Sequence, residues 1–164
     1  AYLADQTDQH DLQILGLQNT TGSEAQQECE ALALLVSYRV WRKQLCVERC
    51  KIIVRTDYLA VLFLMTRMQT SSSSLAIIAR ALALDMAEPA YYPDVLDHIP
   101  GVANTLADAL SRLQEGKHLP SALAQVPRSE VQPRTTSWWK SLVPPDISKL
   151  DADRRQTKNV KVMR

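Results

Sequence analysis

Lys51-Ile52-Ile53-Val54-Arg55-Thr56-Asp57 is the stretch on which the fold turns. Three consecutive β-branched apolar residues in a short run bounded by charges predict a strand buried on both faces, the kind that parallel sheets use. Asp57 then stands at the carboxyl end of that strand. Upstream, Ser23-Glu24-Ala25-Gln26 has the Ser-x-x-Gln form of a capping box, and Ala31, Leu32, Leu34, Leu35, Tyr38, Val40 and Trp41 follow at helical spacing. A helix over 23–43 is expected. Downstream, 58–68 reads as a helix, 69–74 as a polar loop, and 75–88 as a second helix that stops at Pro89. Residues 91–99 alternate as a strand, Pro100-Gly101 makes a turn, and 102–113 is an amphipathic helix. The polar opening, 1–22, holds one alternating segment, 12–17, that fits a short strand or a single helical turn. Helix, strand, helix, helix, strand, helix is an α/β succession, with the sheet flanked by helices.

Composition bounds what such a chain can be. It has 164 residues, 46% of them apolar and 23% charged, with eight Pro and four Gly. That is one domain's worth of globular protein, too apolar for a wholly disordered chain and unlike a collagen or a Gly/Ser polymer. The longest apolar stretches, 31–36 and 59–65, fall far short of the ~20 residues of a membrane-spanning helix, so a soluble chain is expected.

The net charge of +1 is a cancellation. Up to Leu113 there are nine basic and thirteen acidic side chains, and from Gln114 onward ten and five. An acidic body, 1–113, therefore precedes a basic tail, 114–164. Five Pro, little periodicity and scattered Lys and Arg predict an extended, poorly ordered tail or linker, in which Trp138-Trp139 is the one sizeable apolar feature, either docked on the body or on a partner or exposed in a mobile tail. Cys29, Cys46 and Cys50 are odd in number and lack a second pair to complete a zinc site, which predicts free thiols in a reducing, intracellular compartment, cytoplasm or nucleus. The chain begins at Ala1 with no visible signal peptide, as a fragment or trimmed piece would.

Three acids lie where the pattern expects apolar or neutral residues: Glu30 in the first helix, Asp57 at the strand's end and Asp108 in the last helix. Ligands of open α/β sheets gather at the carboxyl ends of strands, so Asp57 is the best placed. Clustered carboxylates bind hard divalent cations such as magnesium (Mg2+) or manganese (Mn2+).

Cys29-Glu30-Ala31-Leu32-Ala33-Leu34-Leu35, then Val54-Arg55-Thr56-Asp57, then His98-Ile99-Pro100-Gly101-Val102-Ala103-Asn104-Thr105-Leu106-Ala107-Asp108-Ala109-Leu110-Ser111-Arg112 resemble the ribonuclease H domain of retroelement reverse transcriptases, gypsy-type and related. The last segment is the most specific, and the resemblance spans 1–113. It implies a ribonuclease H-like mixed sheet flanked by helices, and endonucleolytic cleavage of RNA in RNA/DNA hybrids. Glu30, Asp57 and Asp108 would be three of four carboxylates holding two metal ions, which stabilise the attacking and leaving oxygens. His98, ten residues before Asp108, matches a loop histidine of the family used in proton transfer or product release. Gln26 and Gln27 match amide side chains that touch the hybrid's minor groove, where 2′-hydroxyls are displayed, and Asn104 belongs to the same substrate-binding set. The implied partners are the RNA/DNA hybrid, the polymerase domain of the same polyprotein and a downstream integrase segment, with no membrane.

The family's first strands, which carry its leading Asp, have no counterpart. Asp5, Asp8 and Asp11 resemble the region just before the catalytic helix instead, so the sheet is expected to lack its first strands and the site its fourth carboxylate. Tyr58 also replaces the small polar residue or His usual after the strand-end Asp. The competing expectation is a noncatalytic remnant, a helix-rich structural or interaction module. A recombinase or integrase core shares the carboxylate logic, but the 104–112 segment weighs against it.

Overall fold

The computed structural model describes residues 1–20, 25–48, 51–88 and 92–139. Among these the elements run α1 (Gln9–Leu15), α2 (Gln26–Glu48), β1 (Ile53–Thr56), α3 (Leu59–Arg67), α4 (Ser73–Ala87), β2 (Val95–His98), α5 (Thr105–Ser111) and α6 (Thr136–Trp139). The α/β succession is present, and β1 and β2 pair in parallel with Ile53 opposite Val95 and Thr56 opposite His98. Parallel neighbours need a long crossover, which α3 and α4 provide.

Burial on both faces does not hold for β1. Ile53 is 47% exposed and its partner Val95 38%. The described sheet has two strands, and α3 packs against both. One face is therefore covered and the other open: Thr56 is buried and Leu96 joins the core, while Arg55 and Asp97 form an ion pair at 3.5 Å on the outer face. The run of β-branched residues forms the strand through backbone preference, and the number of layers decides its burial.

The core lies between helices. Ala31, Leu32, Leu35, Val36 and Tyr38 of α2 meet Ile78, Ala79, Ala81, Leu82 and Met86 of α4, with Val61, Leu64 and Met65 of α3 alongside. Helix α2 runs five residues past its expected end, because Gln44 to Glu48 contain no breaker. Its expected capping residues Ser23 and Glu24 lie outside the described residues, as do Pro89 and Tyr91. Helix α4 begins at Ser73, two residues early, because the Ser72 hydroxyl accepts the Leu75 N–H at 3.3 Å and caps it. The 12–17 segment is helical: Asp8 and Asp11 form a reciprocal capping box, and Gly16, at φ +71°, ends α1 in the left-handed region that glycine tolerates best.

The boundary expected at 113 is displaced. Residues 127–139 pack onto the body: Tyr2 and Ser129 donate backbone N–H groups to Pro127 and Tyr2 at 3.0 and 2.8 Å, and Tyr2 bridges Arg128. Arg134 is buried, donating to Asp11, to Asp5 and to the Gln6 carbonyl. Trp139 is fully buried and donates its indole N–H to Asp11 at 3.1 Å, while the Arg39 guanidinium lies 4.2 Å from the Trp138 ring centroid. One buried indole and one buried ion pair hold this segment in place without any helical period, which is why composition reads it as a linker. Residues 140–164, about half of the expected tail, lie outside the described residues. Among the described residues no helix is long and apolar enough to cross a membrane, and Cys29 and Cys46 are free; Cys50 lies outside them.

Candidate functional site

The site forms where β1 ends. Thr56 accepts the Tyr58 N–H on its hydroxyl at 3.0 Å, which turns the chain at Asp57 from strand toward α3. Parallel pairing sets His98 beside the same point, and its Nε2 lies 3.2 Å from the Asp57 carbonyl oxygen. After His98 the chain turns through Pro100 and a 3-10 turn at Gly101–Ala103 into α5, which brings Asn104 onto Asp57: Asn104 Nδ2 donates to Asp57 Oδ1 at 3.0 Å.

Glu30 enters from α2. It is half-buried, and burial first, with the Asp57 charge second, holds its carboxyl above the ordinary glutamate range. The Asp57 charge adds to the cost of ionising Glu30, a cost that a bound cation would relieve. Glu30, Asp57, Asp108, Asn104 and Gln26 all line one cavity of about 920 Å³. The cavity thus gathers all three expected carboxylates and two of the expected amide-bearing residues. Gln27 is exposed and off its wall, and His98 adjoins it through Asp57 rather than lining it.

Lining the same cavity is not the same as converging on one ion. Among the described residues no three of His, Cys, Asp and Glu stand close enough to hold a metal ion together. Asp108 is engaged elsewhere: Arg112, one turn on, donates through Nε and Nη2 to Asp108 Oδ1, each at 2.9 Å. Both side chains are about half exposed, so this i,i+4 pair is worth only a few tenths of a kcal/mol. Asp57 therefore faces Asn104 and the Glu30 charge, while Asp108 is held by a weak partner.

Four further charged residues line the cavity that the sequence did not place at the site: Asp5, Arg112, Glu115 and Arg134. Burial works against the Arg134 charge, but hydrogen bonds to Asp11 and Asp5 outweigh it and raise its pKa. Asp5 lines the cavity and is ion-paired with Arg134. The Asp8-x-x-Asp11 capping pattern was a legible signal for the position of α1; nothing in the sequence around Arg134 signals a contact 129 residues back in the chain.

No family model, curated protein or solved structure matches this chain.

Proposed function

We propose that the chain is a ribonuclease H-like domain of a retroelement reverse transcriptase polyprotein, whose parent activity is cleavage of the RNA strand of RNA/DNA hybrids with Mg2+ or Mn2+. One observation carries this reading: Glu30, Asp57 and Asp108, 78 residues apart from first to last, line a single cavity together with Asn104. Parallel pairing of β1 with β2, which brings the His98-to-Arg112 segment to the end of the Asp57 strand, supports it.

In this reading Glu30 and Asp57 would hold the cation, and Asp108 would join them if its weak partner Arg112 turned to solvent or to a phosphate. Bound magnesium or manganese supplies the positive charge that stabilises the oxygens around the cleaved phosphodiester. His98, exposed beside Asp57, is placed to move a proton at its imidazole. Gln26, exposed at the start of α2, is placed to offer its amide to a 2′-hydroxyl. The acidic wall repels nucleic acid until a cation neutralises it, so the cation governs substrate approach as well as chemistry.

A second reading has its own observation. Arg112 neutralises Asp108 and Arg134 neutralises Asp5, so the chain's own guanidinium groups take two of the cavity's carboxylates. This is what a noncatalytic structural module retaining the fold would have. A labelled RNA/DNA hybrid incubated with the chain and Mg2+ or Mn2+ separates the two. The nuclease reading requires cleavage that Asp57→Asn abolishes; equal cleavage by both proteins, or none by either, favours the noncatalytic module.

A further inference from the structure

Asn104 stands at the N-cap of α5, the position where an Asn side chain ordinarily accepts a backbone N–H from the helix's first turn. It makes no such bond. Its amide instead reaches Asp57, and since an ionised carboxylate only accepts, the group presented to Oδ1 is Nδ2. The same turn leaves the other oxygen room: a Cβ at Gly101 would stand 3.2 Å from Asp57 Oδ2. Gly101 does not have a positive φ, so its backbone conformation does not call for glycine and the Asp57 carboxylate is what its missing side chain accommodates. The turn is itself tied, with the Asn104 N–H donating to the Gly101 carbonyl at 3.0 Å.

We infer that Asn104 and Gly101 are positioning residues for Asp57: one holds Oδ1 by a hydrogen bond, the other leaves room for Oδ2, and together they fix the carboxylate plane toward the cavity. Helix α5 forgoes a side-chain cap to do so. The inference deepens the proposed function and rests on its assignment of Asp57 as a cation ligand. It differs from a capping role in a way substitution can separate. Ser is as good an N-cap as Asn but too short to span to Asp57, and Ala at 101 suits the backbone but crowds Oδ2.

The test is a calorimetric Mn2+ titration of the full chain and of Asn104→Ser and Gly101→Ala, with thermal unfolding of each. Loss of a group that orients a metal ligand weakens affinity by about tenfold or more. Both variants are expected to bind Mn2+ about tenfold more weakly, with the unfolding midpoint of Asn104→Ser unchanged or raised. Binding within about twofold of the parent by both would overturn the inference. If the parent chain binds no Mn2+, the cation reading of the site fails, and the positioning claim is decided by the side-chain amide signals of Asn104 in nitrogen-15 spectra. A slowly exchanging amide proton that is lost in Asp57→Ala, and in Asp57→Ser as a second variant, upholds it; unchanged signals in both overturn it.

Discussion

Replacing Arg134 by Met keeps the length of the side chain and removes its charge. In the structure that guanidinium is buried, and its partner Asp11 is fully buried, at 0% exposure. Removing one member of a buried pair strands the other charge, which typically destabilises by about 3–5 kcal/mol. Asp11 retains two donors, the Trp139 indole and the Asp8 backbone N–H, so the lower end, about 3 kcal/mol, is expected. The bonds to Asp5 and to the Gln6 carbonyl are lost as well. Against a total stability of about 5–15 kcal/mol this is a large fraction. With a urea dependence near 2 kcal/mol per molar, the midpoint falls by about 1.5 M. Urea unfolding followed by tryptophan fluorescence reads it directly, because Trp139 is one of the three tryptophans and loses its buried environment. The double variant Asp11→Asn, Arg134→Met is expected to be less destabilised than the sum of the singles, since the stranded charge is gone. A loss below about 1 kcal/mol in Arg134→Met, the size of an exposed pair, would refute the claim that residues 127–139 are part of the folded body.

Glu30→Gln is expected to stabilise the fold at neutral pH. The folded-state carboxyl is raised above its ordinary value of 4.5, so ionised Glu30 opposes folding above that raised value, and the opposition vanishes once the pH falls below 4.5. The unfolding midpoints of the two proteins should therefore differ at pH 7 and converge near pH 4; identical midpoints throughout would show that the cavity imposes no strain on Glu30. Ser74→Ala should destabilise by about 1–3 kcal/mol in urea unfolding, because buried Glu28 accepts the Ser74 hydroxyl at 2.7 Å on Oε1 and has no partner on Oε2. No measurable change there would mean that Ser72, 3.4 Å away, or water replaces the bond.

Elements with a local cause were legible and elements with a distant cause were not. The strand at 53–56 followed from three β-branched residues in a row, and α2 from its apolar spacing. The open outer face of β1 had no local sign, because it depends on how many strands and helices flank it. Residues 127–139 carried no period and read as a linker, although Trp139 and Arg134 hold them against α1 and the opening segment. At the site, Glu30, Asp57 and Asp108 were legible as acids out of place, and the structure brings them to one cavity. The Arg112 partner of Asp108 was readable from i,i+4 spacing alone. The Asn104 contact was not, since an Asn before a helix ordinarily signals a cap.

By itself the sequence determined the main helices and strands between 26 and 111 and which residue types are available for chemistry, because those follow from backbone preference and from side-chain periodicity over a few neighbours. Only the tertiary structure decided what each group faces. The crossover through α3 and α4 sets β2 beside β1, and that single parallel pairing carries His98, Gly101, Asn104 and Asp108 to the end of the strand where Asp57 stands. Coulomb and hydrogen-bond energies depend on distances across the fold and not along the chain. The contact of Asp57 with Asn104, its approach to Glu30, and the pairing of Asp5 and Asp11 with Arg134 were therefore settled by packing.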